Sequence, residues 1–170
     1  MKKSEEKKWY IFYTSPRAEK KANEYLQSAG YESFLPLRKE LRTWKNRQRK
    51  YIEEPLFPSY IFVRTQNYNL FHIAKLPKIC YCLTMNGNPV TIPDQDIEAI
   101  RCMLQSDKVV NVEHENLHIG DKIIIIEGDL IGYQGILLYC RGEHKFGIQL
   151  AGTNYVACIN IDLNKVKILK

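Results

Sequence analysis

Alternation along Trp9–Thr14 places Trp9, Ile11 and Tyr13 on one side of an extended chain and Tyr10 and Phe12 on the other, which predicts a first β-strand. A helix follows. Ser15 can cap it, Pro16 suits its first position, and Ala18, Ala22, Tyr25, Leu26 and Ala29 recur at helical spacing before Gly30 stops it. Tyr31–Leu37 reads as a second strand interrupted by Pro36. Beyond a basic stretch, Tyr51-Ile52 begins another extended run that passes Pro55-Leu56-Phe57-Pro58 and continues as Tyr60-Ile61-Phe62-Val63. Asn69–Leu76 predicts a short helix, Ile79–Met85 a strand, Asn86-Gly87 a turn, and Pro93-Asp94 the start of a helix striped by Ile97, Ile100, Met103 and Leu104.

From Leu117 the pattern changes to short β-rich runs separated by glycines: Lys122–Glu127, Gly135–Arg141, Phe146–Leu150, Tyr155–Ile161 and Val166–Leu169. The chain therefore divides into a disordered tail (1–8), a first domain (9–105), a polar linker (106–117) and a second domain (118–170). The order β-α-β-β-α-β-α predicts an α+β first domain, a ferredoxin-like split βαβ antiparallel sheet with its helices on one face. Five short strands predict a small barrel for the second.

Charge adds a direction. The 170 residues carry 25 basic and 19 acidic side chains, a net charge of +6 and a pI near 9.0, which favours acidic partners such as nucleic acid. Five cysteines, with no Cys-x-x-Cys pair and no histidine at ligand spacing, read as buried thiols, so no metal is expected. His72, His114, His118 and His144 stand without a nucleophile or carboxylate pair, and Thr14-Ser15-Pro16-Arg17 lacks the glycines of a phosphate cradle, so neither an enzyme nor a cofactor is expected. Met1-Lys2-Lys3 is followed by Ser4-Glu5-Glu6-Lys7-Lys8 and an apolar run too short for a leader, and nothing else approaches the roughly 18 apolar residues of a span. The expected place is the cytoplasm.

Three local features carry candidate chemistry. In Phe57-Pro58-Ser59-Tyr60-Ile61-Phe62 the aliphatic Ile61 and Val63 should face the helices, leaving Tyr60, Phe62, Phe57 and the neighbouring Tyr13 on the other side. That aromatic group is either a docking surface for an apolar helix or core covered by loops. Arg38–Lys50 holds seven basic residues against Glu40 alone. With Trp44 embedded among Arg42, Lys45, Arg47, Arg49 and Lys50, it suits either phosphate contact with base stacking or a merely solvated hairpin. Arg17, Lys20 and Lys21 add charge near the first helix's N-terminus. The third feature is Gly120-Asp121-Lys122-Ile123-Ile124-Ile125-Ile126-Glu127-Gly128-Asp129-Leu130-Ile131-Gly132-Tyr133-Gln134-Gly135, a strand and then a glycine-spaced connection.

This third feature resembles the KOW motif, with Gly120, Gly128, Gly132 and Gly135 as its glycines. The whole chain from Trp9 to Lys170 resembles the NusG family, an NGN domain followed by an SH3-like five-stranded KOW barrel. Trp9-Tyr10, Pro55–Tyr60, Pro16–Lys21 and Phe34–Leu37 resemble the specialised UpxY-type and RfaH-like antiterminators of polysaccharide operons. The resemblance implies a monomeric transcription elongation or antitermination factor that grips the coiled coil of the largest RNA polymerase subunit, closes the clamp and suppresses pausing or termination. It implies a polymerase pocket of Tyr13, Phe57, Pro58, Tyr60, Phe62 and Met85. It also implies contact of Arg17, Lys20, Lys21 and Tyr25 with the non-template DNA strand or nascent RNA. Where the general factor carries an aromatic KOW loop residue for Rho or a ribosomal protein, this chain has Ala151, so the KOW partner is unknown. RfaH-like factors refold their barrel into helices that mask the pocket; Ile123–Ile126 and the glycines here disfavour helix. The alternatives are a general NusG factor and a ribosome-associated RNA-binding protein.

Overall fold

The computed structural model of the chain describes residues 5–106, 108–113 and 118–170. The first four residues of the expected tail, and 107 and 114–117 of the expected linker with His114, lie outside the described residues.

The elements run β1 (Lys8–Thr14), α1 (Glu19–Ser28), β2 (Glu32–Phe34), β3 (Leu37–Thr43), β4 (Arg49–Pro55), β5 (Tyr60–Thr65), α2 (Leu70–Ile73), β6 (Ile79–Cys82), β7 (Thr84–Met85), β8 (Asn88–Pro89), β9 (Thr91–Ile92) and α3 (Asp94–Gln105). The order β2-β5-β1-β6, antiparallel throughout, is that of a split βαβ sheet. Its halves are β1-α1-β2 and β5-α2-β6, with β1 and β5 side by side. β9 pairs with the start of β1.

Alternation divides the sheet into two apolar groups. Tyr10, Phe12, Ile61 and Val63 pack with Ala22 and Leu26 of α1 and Leu70 and Ile73 of α2. Trp9, Ile11 and Phe62 belong to the other group, with Ile97, Ala99, Ile100 and Met103 of α3. The third helix thus lies on the opposite face from the first two, which corrects the expectation of helices on one face. Ile92 of β9 sits opposite Trp9 and shares its side, so the chain leaves the sheet there.

The second half holds β10 (Asn111–Glu113), β11 (His118–Ile125), β12 (Gln134–Cys140), β13 (Glu143–Gln149), β14 (Val156–Asn160) and β15 (Val166–Ile168). These form an antiparallel sheet in the order β10-β14-β13-β12-β11-β15. The five expected barrel strands are present, and Ile123–Ile125 is strand, not helix. Gly135 is required by close approach: a Cβ there would lie 2.5 Å from both the Gly147 carbonyl oxygen and the Phe146 ring.

β10 arises from the stretch read as polar linker. Val112 packs toward the larger core, while Glu113, only 9 % exposed, accepts a 3.0 Å hydrogen bond from the buried Lys145 Nζ. Burial is the largest influence on the Lys145 pKa and would lower it, but the Glu113 hydrogen bond together with the charges of Cys158, Glu113 and Cys140 outweighs it and holds the ammonium above its ordinary value. A neutralised charge lets an acidic residue sit in a strand. The thiol of Cys158 beside this pair is pushed up to about 11 by burial. All five cysteines are free, and no group of metal-binding side chains occurs among the described residues. Among the same residues, no helix is long and apolar enough to cross a membrane.

Candidate partner and nucleic-acid surfaces

A turn sets the aromatic surface. Ser59 has φ +65° and donates its backbone N–H to Glu19 Oε1 at 2.8 Å, while its carbonyl accepts from the Thr14 N–H at 2.8 Å. These bonds fix the start of β5 against β1 and place Tyr60 opposite Tyr13, which is itself opposite Tyr81 of β6. The rings form a ladder: Tyr13 meets Tyr60 edge-on at 5.5 Å and stacks on Tyr81 at 5.2 Å. Burial, with smaller contributions from Tyr155, Tyr81 and Tyr13, raises the Tyr60 hydroxyl pKa. Phe57 meets Phe62 edge-on at 5.9 Å, and Phe62 lies 6.1 Å from Phe34.

The second half of the chain covers this surface. Tyr155 lies 6.3 Å from Phe57 and 5.9 Å from Tyr60, ring to ring. Gly152 approaches so closely that a Cβ there would be 2.9 Å from Val90 Cγ2 and 3.3 Å from Leu83 Cδ2. The Cys102 thiol of α3 donates to the Tyr133 hydroxyl at 3.3 Å. One continuous apolar core results, running from Trp9 and Phe62 to Phe146 and Ile159. Phe57 and Phe62 are fully buried, Tyr13 and Tyr60 half-buried, and Pro58 exposed. Met85, 56 % exposed, stands on the β7–β8 hairpin. Phe57 and Phe62 are thus covered, with the barrel and its Gly152–Tyr155 loop among the cover, while Tyr13 and Tyr60 keep part of their surface exposed. Ala151 itself is exposed, and only the neighbouring Gly152 comes close to Leu83 and Val90.

The basic run is the β3–β4 hairpin, paired from Leu37↔Pro55 to Thr43↔Arg49. Its base is charge-balanced, with Arg38 opposite Glu54 and Lys39 opposite Glu53. Towards the tip Arg42 stands opposite Lys50, an unfavourable like-charge pair, and Arg42 reaches back to Glu54 as an ion pair. Trp44, 57 % exposed, closes the turn by accepting from the Arg47 N–H and donating to the Gln48 carbonyl; Arg47 has φ +63°. Trp44, Lys45, Arg47, Arg49 and Lys50 are therefore gathered on one exposed ribbon end.

The first helix begins later than its sequence suggests. Ser15–Arg17 forms a turn with Arg17 at φ +59°, and α1 starts at Glu19, whose carboxylate is committed to Ser59. Arg17, Lys20 and Lys21 line one wall of a cleft of about 710 Å3, with Arg38 from β3 and Tyr155 from the second half. Tyr25 is exposed on α1 outside that lining. Sequence reading missed Arg38 and Tyr155 as site residues. Tyr155 carries a weak signal, an aromatic placed directly after the Gly152-Thr153-Asn154 turn. The motif glycines serve the barrel itself: Gly128 and Gly132 adopt φ +94° and +86°, while Gly120 and Gly135 lie in β11 and β12.

Residues 7–101 match the family model described as "NusG: Transcription termination factor nusG". The chain is similar to the transcription termination/antitermination protein NusG of Streptococcus pyogenes serotype M1, 28 % identical with 92 % of this chain and 94 % of the relative covered. The same protein from serotype M18 matches to the same extent. Among solved structures, one titled "Domain interaction in Thermotoga maritima NusG" is similar in fold, with a TM-score of 0.51 and 22 % identity over 96 % of this chain and 98 % of that one.

Proposed function

We propose that this chain, which belongs to the NusG family of transcription termination/antitermination factors, docks on RNA polymerase through the tyrosine ladder and releases it to the barrel when unbound. The chain is a transcription factor, not an enzyme. Residues 9–105 are the polymerase-riding unit and 118–170 the KOW unit, acting as a monomer in the cytoplasm.

One observation carries the reading: a ladder of tyrosines at the end of a sheet is left partly exposed by the sheet's own helices and is touched at Tyr60 by Tyr155 of a separate unit. Partly exposed rings capped by a second unit suit a surface that must at times accept another apolar helix. The occupant is the coiled coil of the largest polymerase subunit, gripped by Tyr13, Tyr60 and Pro58 with Phe57 and Phe62 behind them and Met85 at the rim. Single-stranded nucleic acid, the non-template strand or nascent RNA, runs from Arg17, Lys20, Lys21 and Tyr25 to the hairpin tip, where Trp44 stacks on a base. The finer role is antitermination at a polysaccharide biosynthesis operon. The identity of Ala151 supports it, since a small side chain at that exposed turn offers no aromatic to Rho or a ribosomal protein.

A pull-down with core polymerase tests the pocket. Tyr13→Ala with Tyr60→Ala should abolish capture, whereas Tyr155→Ala should increase it. Capture of the double variant at the wild-type level would sink the ladder as the contact.

A further inference from the structure

We infer that the cleft between the two halves is a nucleotide site that exists only while the barrel is docked. The inference deepens the nucleic-acid reading of the Arg17–Lys21 turn and rests on its assignment of those cations to phosphate.

The walls have two origins. Arg17, Lys20, Lys21 and Arg38 come from the first half, and Tyr155 and Val112 from the second. Four cations stand against two carboxylates, both already engaged: Glu19 accepts from the Ser59 N–H, and Glu54 is paired with Arg42. No ion pair to Arg17, Lys20 or Lys21 occurs among the described residues. Arg17 is held at φ +59°, a conformation costly for a side-chain-bearing residue and frequent where structure serves a ligand. Leu56, Pro58 and Tyr155 supply an apolar, partly aromatic wall beside this charge.

A flat base against Tyr155 and Pro58, with its phosphates on Arg17, Lys20, Lys21 and Arg38, meets both halves of that chemistry. The volume, about 710 Å3, lies within the range of small-ligand sites. A free nucleotide and one unit of a strand share this recognition chemistry. Because one wall leaves with the barrel, a bound nucleotide favours the docked form, by about 100-fold at a concentration of 100 times its dissociation constant. It would thereby oppose exposure of the tyrosine ladder without touching it.

Calorimetric titration of the full chain tests this with ATP, inorganic tripolyphosphate and an oligothymidylate strand. ATP should bind; Tyr155→Ala should weaken it about tenfold, the scale of one lost aromatic stack, and Arg17→Ala with Lys21→Ala about a hundredfold, that of two lost charge-assisted contacts. Tyr155→Phe, which keeps the ring, should retain binding, and its unchanged urea midpoint would show the fold intact. Lys167→Ala, on exposed β15 outside the cleft lining, should leave ATP affinity unchanged. Tighter binding of the strand than of ATP, equally lost in Tyr155→Ala, would support the site and identify its source as a strand. Absence of ATP and strand binding alike, equal affinity for tripolyphosphate and ATP, or insensitivity to Tyr155→Ala would overturn it. Strand binding that needs Arg17 and Lys21 but ignores Tyr155 would overturn the composite cleft and leave the nucleic-acid reading standing.

Discussion

The two faces of the first domain's sheet are both apolar, yet they are closed by different means. Tyr10, Phe12, Ile61 and Val63 lie under α1 and α2, helices that the chain reaches within a few residues of the strands they cover. Trp9, Ile11, Phe57 and Phe62 lie under α3 and, at their aromatic end, under a barrel formed much later in the chain. A locally closed face can open only by unfolding the domain. A face closed by a second unit can open by separation, leaving strands and helices in place. Its chemistry agrees, because edge-on rings and hydroxyls tolerate water better than the aliphatic packing under α1.

Four outcomes would break or sharpen that contrast. The largest effect belongs to the locally closed face: Phe12→Ala should cost about 3–5 kcal/mol in urea unfolding, and a loss no greater than that of Tyr155→Ala would erase the distinction. Next, Glu113→Ala leaves the buried Lys145 unpaired and should destabilise the barrel by about 3 kcal/mol, seen as early melting of β10–β15 in hydrogen exchange. In the parent chain that pairing carries a pH signature. Because the Lys145 pKa is raised on folding, its contribution is complete below the unfolded lysine value and is lost as pH climbs through the folded one.

Tyr155→Ala should be milder, removing two ring contacts worth about 0.5–1.5 kcal/mol each beyond burial. It should speed amide exchange at Phe57–Phe62 while the α1 face stays protected; exchange rising equally on both faces would mean global loosening. The smallest effect is again a titration. The Tyr60 hydroxyl is raised chiefly by burial, so docking is complete below the ordinary tyrosine value and weakens as pH rises through the higher folded one. Tyr60→Phe should remove most of that weakening, measured by exchange at Val90 and Leu83.

Sequence pattern reaches local order well and assembly poorly. Alternation in Trp9–Thr14 and Tyr60–Val63 assigns residues to faces correctly, since side-chain direction in a strand is a property of adjacent residues. The barrel strands were legible for the same reason. The start of α1 was misplaced because Arg17 turns left-handed and Glu19 serves a loop 40 residues away, neither of which periodicity records. β10 was hidden because the glutamate of Asn-Val-Glu is neutralised by a buried lysine from β13, two strands across the sheet and 32 positions along the chain. Of the candidate site, residue identities were visible, but the cover over Phe57 and Phe62 depends on Tyr155, about one hundred positions away, and no local signal couples the two.

The β3–β4 hairpin is a two-stranded ribbon outside the main sheets, with unpaired edges on both sides. Such edges recruit strands from other molecules unless something repels them. Its arginines and lysines therefore also act as a guard against self-assembly. Neutralising the whole tip would leave Leu41, Trp44 and Tyr51 exposed on a ribbon without that guard, and the expected consequence is concentration-dependent aggregation.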